Sequence, residues 1–263
     1  MTRALSTQQQ GLEFKIISAQ ISQESEPRYV KYTLRVTYIS GNDNDDHSPS
    51  QIERRYTQFS NLYNALKKDF PSLMSNIEFP KKVLTGNFDD KLILKRSIAF
   101  EQLLRHICSE SKLRTSKAME IFLQEQELLT VKEYLNTKDY NSASAILENS
   151  FKLINKIFLD RSTAVIFTLC RLVSTIAEIP NHTSRLKWCD LALYRFDGIS
   201  DSDLLELYIP LIHTCIKIYK EENKDATNLE KLLQNFQVQG LNDIYKKTNL
   251  FSALNEAEKR ISE

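Results

Sequence analysis

The segment QIERRYTQFS, residues 51–60, places two arginines directly before a tyrosine. Adjacent guanidinium groups repel each other, so a nearby anion would account for the pair Arg54 and Arg55. The alternative is that both side chains point into water, as charged runs commonly do. The residue types therefore indicate a candidate anion site next to Tyr56, and they leave its occupant open.

The charge balance of the whole chain indicates that any such anion is bound locally. The 263 residues include 35 Lys and Arg and 34 Asp and Glu, which gives a formal net charge of +1. A charge this close to zero provides no global field that would draw the protein onto nucleic acid or an acidic bilayer. With 41% hydrophobic and 26% charged residues, the composition is that of a folded soluble protein.

Motifs of the common enzyme and metal-binding classes are missing from the sequence. Its five glycines form no P-loop or dinucleotide fingerprint, and there is no GxSxG motif. The four histidines lack HExxH spacing, and the four cysteines lack CxxC spacing, so we interpret the cysteines as reduced and structural. We predict a protein that is not an enzyme and that uses no cofactor or metal.

Hydrophobic segments that would target or span a membrane are also not evident. The N-terminal sequence MTRALSTQQQ lacks the apolar core of a signal peptide. The most hydrophobic stretch, residues 162–179, is interrupted by Arg171 and Glu178. This pattern predicts a protein that is cytosolic or bound only peripherally to a membrane.

Alternating apolar and polar residues predict a small antiparallel sheet ahead of the candidate site. Residues 30–38, VKYTLRVTY, alternate as a half-buried strand does, and residues 12–21 show a weaker version of the pattern. After the polar turn at residues 41–50, residues 51–56 form the third predicted strand. The candidate site therefore lies where this strand gives way to a helix.

The apolar spacing becomes helical after the sheet. Three helices are predicted in this region from apolar residues spaced three or four apart. The first has Phe59, Leu62, Tyr63 and Leu66, the second has Phe100, Leu103, Leu104 and Ile107, and a short third lies around Ala118, Ile121 and Phe122. Beyond about Gln126 no strand pattern remains. We predict a flexible N-terminus at residues 1–10, an α+β domain at 11–126 and an all-α domain at 128–263.

One segment of the all-α half resembles a tetratricopeptide (TPR) turn. Residues 135–151, LNTKDYNSASAILENSF, read as a helix end, an Asp-Tyr pair and small residues at the start of the next helix. A regular repeat period is not visible. We therefore predict a TPR-like stack of helical hairpins, with an unspecific helical bundle as the alternative.

The first half of the chain resembles the phox-homology (PX) domain over residues 11–126. The resemblance is carried by three short strands, RRYTQF at a helix start, FPKK and GNF in the loop that follows, and KRSIAFEQLL in the next helix. PX domains bind phosphoinositides, most often phosphatidylinositol 3-phosphate. The resemblance thus implies a three-stranded antiparallel sheet with helices, and a lipid headgroup as the anion.

Four residues match the positions with which PX domains bind the headgroup. Arg55 would bind the 3-phosphate, and Tyr56 would form the floor beneath the inositol ring. Lys82 would meet the 1-phosphate, and Arg96 would hydrogen-bond the 4- and 5-hydroxyls. The residue types suit these roles, because a guanidinium fork matches two phosphate oxygens and a lysine supplies a point charge.

Two parts of this assignment stay open. By strand alternation Arg54 and Tyr56 share a face, which would make Arg54 rather than Arg55 the partner of Tyr56. The resemblance favours Arg55 and leaves Arg54 to point to solvent or an acidic neighbour. Val83 and Leu84, just beyond the lysines, are candidate membrane contacts, with packing against the sheet as the alternative.

A PX domain followed directly by a TPR-like helical domain resembles the sorting nexins that carry a PX-associated B (PXB) domain. This implies a peripheral adaptor of early endosomes whose PX half binds phosphatidylinositol 3-phosphate. The helical half would bind a protein partner or receptor tail, and nucleic acid is not an expected partner. The alternatives are a purely protein-binding adaptor and a PX domain for another phosphoinositide, such as the 4,5-bisphosphate.

Exposed tyrosines are the candidates for partner contacts in the helical half. Tyr194, Tyr208 and Tyr219 combine a large contact area with a polar tip. Core packing is the alternative for each of them.

Overall fold

A computed structural model of the chain describes residues 11–23, 27–39, 48–197, 202–238 and 249–262. The predicted flexible N-terminus at residues 1–10, and most of the predicted turn at 41–50, lie outside this described part. The elements follow the chain as β1 (Leu12–Ile21), β2 (Val30–Tyr38), β3 (Ser50–Arg55), α1 (Tyr56–Asp69), α2 (Asp90–Ser109), α3 (Ser111–Arg114), α4 (Lys117–Asn136), α5 (Tyr140–Ile157), α6 (Thr163–Ile176), α7 (Arg185–Phe196), α8 (Ser202–Glu221), α9 (Thr227–Val238) and α10 (Leu250–Ser262).

The three strands form an antiparallel sheet in the order β1-β2-β3, which confirms the predicted sheet. The ladder between β1 and β2 shifts between Ile16 and Ser18. At this bulge the Ile16 amide donates to Glu101 Oε1 of α2 at 2.7 Å. A carboxylate thus satisfies a backbone donor that the ladder leaves free.

An aromatic core joins the sheet to α1 and α2. Alternation in β2 buries Tyr32, Leu34 and Val36 on one face. The rings of Phe59 and Phe100 stack at a centroid distance of 3.9 Å with an interplanar angle of 4°. The predicted apolar faces of both helices are buried against the sheet side of this unit, except that Tyr63 is only half-buried.

Helix α4 differs from its prediction. A short helix was expected around Ala118, but α4 has 20 residues and continues past the predicted domain boundary between residues 126 and 128. No glycine or proline occurs between Lys117 and Asn136 to interrupt it. The apolar periodicity of α4 is weak because only scattered positions of the helix are buried, whereas its helix propensity is high along its whole length.

Two compact units are distinguished along the chain. The first comprises the described residues up to Gln126 together with residues 152–158, and the second comprises residues 127–151 and those from 159 onward. The first unit thus includes a short piece of the half that the sequence analysis assigned to the helical domain. Every described element after α4 is helical, which confirms an all-α C-terminal region, while its TPR-like character stays a prediction.

Within the described residues, none of the helices is both long and apolar enough to cross a membrane. The same residues contain no group of three or more His, Cys, Asp or Glu side chains placed to hold a metal ion. The four cysteines are free, and Cys170, Cys189 and Cys215 are buried.

Candidate functional site

The two adjacent arginines at the end of β3 have opposite environments. Alternation along the strand buries Ser50, Ile52 and Arg54 and leaves Arg55 exposed. Arg54 is 1% exposed, its Nε donates to the Phe122 carbonyl at 2.6 Å, and its guanidinium lies 5.5 Å from the Phe122 ring centroid. The expectation that Arg54 points to solvent is wrong, because the alternating register carries it into the interior.

Arg55 lies at the junction between β3 and α1. Its backbone amide donates to Gln58 Oε1 at 2.9 Å, and its guanidinium carbon lies 5.6 Å from the Tyr29 ring centroid. The first turn of α1 contains no acidic residue, so the positive end of the helix dipole is not compensated there. An anion beside Arg55 would therefore meet a free guanidinium and a favourable helix end.

Tyr56 and Arg96 are stacked on each other. The Arg96 guanidinium carbon lies 4.2 Å from the Tyr56 ring centroid, within the range of a cation–π contact. Arg96 is 2% exposed, and its Nη1 and Nη2 each donate to Asn87 Oδ1 at 3.2 Å. These two neighbours, a ring and an amide, are both neutral.

The Tyr56 hydroxyl fastens the following loop. It donates to the Pro80 carbonyl at 2.7 Å. Burial raises the pKa of Tyr56, and the nearby Arg96 partly offsets that increase, so the phenol stays protonated as a donor near neutral pH. The predicted floor residue thereby also positions the loop that carries Lys82.

The loop that carries Lys82 is fastened a second time on its far side. Asn87 Nδ2 donates to the Val83 carbonyl at 3.2 Å, while Gly86 adopts a φ of +73° that a residue with a Cβ rarely adopts. Lys82 and Leu84 are exposed and Val83 is half-buried. Leu84 is 98% exposed, so the alternative that it packs internally is wrong.

The structure therefore brings Tyr56 and Arg96 into direct contact and places Arg55 next to them in sequence on the exposed face. Lys82 forms no hydrogen bond or ring contact with these three described residues, but the Pro80 and Val83 bonds hold the loop segment that contains it. Arg55 and Lys82 form no ion pair with any described carboxylate. Both basic side chains are therefore available to an external anion, although the chain as a whole is nearly neutral.

Two residues at the site were missed by the sequence analysis. Asn87 bonds to both Arg96 and the Val83 carbonyl, and the only signal was its place in GNF. Arg28 is exposed, and its guanidinium lies 5.9 Å from the Phe88 ring centroid. The dipeptide Arg28-Tyr29 precedes β2. Only the folded chain shows that Arg28 contacts the ring of Phe88, the residue after Asn87, and that Tyr29 contacts Arg55.

Comparison with known proteins finds a family match within the first unit. The family model for the PX domain matches residues 42–126. Human sorting nexin-21 is 30% identical over 233 residues, which cover 88% of this chain and 61% of that protein. Rat sorting nexin-20 is 26% identical over 227 residues, which cover 86% of this chain and 71% of that protein.

The solved structures that match include PX domains. The mouse SNX19 PX domain with bound sulphate ion is 21% identical, covers 43% of this chain and 95% of that chain, and has a TM-score of 0.35. The chain spans 61% of the length of human sorting nexin-21 and 71% of the length of rat sorting nexin-20.

Proposed function

We propose, from the premise that this chain contains a PX domain, that it is a non-enzymatic phosphoinositide-binding protein of membrane sorting. In this proposal the first unit binds phosphatidylinositol 3-phosphate, which brings the protein to the surface of early endosomes. The helical region binds a protein partner or receptor tail. The observation that carries the proposal is the exposed Arg55, which forms no ion pair among the described residues, beside the Tyr56–Arg96 stack.

The headgroup chemistry matches the side chains at the site. A 3-phosphate would accept from the Arg55 guanidinium, and charge-assisted hydrogen bonds of this kind are about twice as strong as neutral ones. The C–H side of the inositol ring would lie on Tyr56. Lys82 would meet the 1-phosphate as a point charge, which needs no fixed fork geometry.

Arg96 would set the specificity of the site. Its guanidinium has a fixed position against the Tyr56 ring and Asn87, and in this proposal it donates to the vicinal 4- and 5-hydroxyls. A phosphate at the 4- or 5-position would need more room than a hydroxyl and would displace this arrangement. The proposed preference is therefore for phosphatidylinositol 3-phosphate over the 4,5-bisphosphate.

Leu84 would enter the bilayer when the headgroup is bound. A leucine that is 98% exposed on a fastened loop has no packing to lose, and full desolvation is worth about 1.5–3 kcal/mol. Val83 is half-buried, so it would contribute less. A single apolar side chain added to a specific headgroup contact gives reversible, peripheral binding.

Partner binding by the second unit would use exposed side chains of its helices. Tyr194 is 45% exposed and is the best placed of the three candidate tyrosines. Tyr208 is half-buried and stacks on Phe196. Tyr219 is buried with its hydroxyl bonded to Asp190, so the core-packing alternative applies to it.

The proposal is tested by sedimentation of the full chain with vesicles of defined composition. We expect binding to vesicles with phosphatidylinositol 3-phosphate, weaker binding with the 4,5-bisphosphate, and little with unphosphorylated phosphatidylinositol. Equal binding to all three would contradict a headgroup site. Stronger binding to the 4,5-bisphosphate would assign the site to the other phosphoinositide, and no sedimentation at all would leave the purely protein-binding adaptor.

A further inference from the structure

The first compact unit contains a segment that lies outside the matched PX region. Residues 152–158, the last turns of α5 and the residue after it, group with the described residues up to Gln126. The PX family match ends at residue 126. The unit that carries the candidate site is therefore discontinuous in sequence.

Burial in this segment exceeds what a one-sided surface helix shows. Five of its residues are buried: Leu153, Ile154, Lys156, Ile157 and Phe158. An amphipathic helix commonly buries one stripe and leaves its charged residues in water. Here a lysine is among the buried residues.

Lys156 contacts the start of β3. It is 5% exposed, its Nζ lies 3.2 Å from Ser50 Oγ and 3.2 Å from the Lys152 carbonyl, and it lies 6.0 Å from the Tyr38 ring centroid. Ser50 is itself completely buried. Lysine side chains are normally exposed to solvent, because burial of an ammonium group is costly unless its donors are satisfied. The two bonds of Lys156 therefore fix its ammonium group at the start of β3.

The strand that Lys156 contacts is the one that presents Arg55. β3 has six residues, and in the described sheet it pairs only with β2. A short edge strand with a single neighbouring ladder frays readily at its ends. The end at Arg54 is held by the Phe122 carbonyl, and the end at Ser50 is held by Lys156.

We propose that residues 152–158 complete the unit that binds the anion, and that Lys156 is a positioning residue that acts through Ser50 on β3. The contact holds the start of the strand, and the strand in turn fixes the direction in which Arg55 leaves the sheet. The effect on lipid affinity rests on the function proposed above. The effect on the order of β3 does not.

The test compares Lys156→Ala with Lys152→Ala in the full chain. Both changes remove one lysine from the same helix, but the Lys152 side chain is half-exposed and its carbonyl remains available to Lys156. The first readout is hydrogen exchange of the amides of residues 51–55 against those of residues 31–36. The second is affinity for vesicles with phosphatidylinositol 3-phosphate, measured well below the unfolding temperature.

We expect Lys156→Ala to speed exchange in β3 and to weaken vesicle binding about threefold to tenfold, as modest couplings between neighbouring sites do. Lys152→Ala should change neither readout. Unchanged exchange and unchanged affinity in folded Lys156→Ala would overturn the proposal, as would equal effects of the two variants.

Ser50→Ala provides the same test with a smaller change if Lys156→Ala does not fold. It removes only the hydroxyl, and it should speed exchange at residues 51–55 if the contact holds the strand. A wild-type chain that binds no vesicles would contradict the proposed function, and the exchange experiment would still decide whether Lys156 holds β3.

Discussion

The arginines of the two compact units have different kinds of neighbours. In the second unit Arg185 is buried between the carboxylates of Glu221 and Glu222, and Arg195 pairs with Asp160. In the first unit Arg55 faces a ring and Arg96 faces a ring and an amide. An arginine that already has a carboxylate gains little from an added anion, whereas one with neutral neighbours keeps its donors available.

The comparison shows why the total charge of the chain does not locate the anion site. The second unit uses its arginines to join helices, since Arg185 at the start of α7 holds the end of α8. The first unit leaves arginines unneutralised at one junction between a strand and a helix. Pairing within the described structure, more than the number of basic residues, indicates where an anion can bind.

Arg55→Ala should give the largest effect, a loss of vesicle binding. Charged hydrogen bonds contribute about 1.5–3 kcal/mol, so binding to phosphatidylinositol 3-phosphate should weaken about 10- to 100-fold. The unfolding temperature should not change, because Arg55 is exposed. Arg105→Ala, which removes another exposed arginine of the same unit, is the control, and equal losses in both variants would show a diffuse charge effect.

Arg185→Ala should have the opposite effect to Arg55→Ala, because it should lower stability and leave lipid binding unchanged. Its loss would leave two carboxylates without their shared partner. Because Glu221 and Glu222 are partly exposed, we expect the free energy of unfolding to fall by about 1–3 kcal/mol, less than for a fully buried pair. Denaturant unfolding measures this change, and Lys231→Ala, which removes an exposed lysine of α9, is the control. Reduced vesicle affinity in the folded Arg185→Ala variant would contradict separate roles for the two units.

Asn87→Asp would give Arg96 the kind of neighbour that Arg185 has. The new carboxylate should hold the guanidinium and repel the phosphates, so vesicle binding should weaken by about tenfold. Stability should change little, because the lost bond to the Val83 carbonyl offsets the new ion pair. Asn87→Ala separates the two causes, and tighter binding by Asn87→Asp would contradict the assigned role of Arg96.

Leu84→Ser should weaken vesicle binding about threefold to tenfold, because partial insertion into the bilayer gives less than the about 1.5–3 kcal/mol of full desolvation. The unfolding temperature should stay constant, since the side chain is 98% exposed. Binding of a soluble short-chain headgroup should also stay constant. If the soluble headgroup loses affinity as well, Leu84 acts on the site and not on the membrane.

Arg28→Ala should have the smallest effect, a weakening of about twofold to fivefold at low salt, as expected for one basic residue near an anionic surface. The difference should disappear at high salt because exposed charges are screened. A loss that persists at high salt would show that Arg28 binds the headgroup directly and belongs to the site itself.

Local sequence patterns determined much of the first unit. Alternation in residues 30–38 predicted β2 with the bounds that the structure has, because a strand buried on one face must repeat with period two. The change to helical spacing after Tyr56 placed α1, and the motifs that resemble a PX domain selected Arg55, Tyr56 and Arg96, of which the last two are in contact.

Tertiary structure alone decided which neighbours cover each face. Alternation predicted that Arg54 and Arg55 lie on opposite faces, but only the packing of α4 shows that the face with Arg54 is covered by Phe122. The contacts of Asn87 with Arg96, and of Lys156 with Ser50, join residues far apart in sequence or across a loop. Periodicity reports the direction of a side chain relative to its own element, and the partner it meets depends on long-range packing that no local pattern contains.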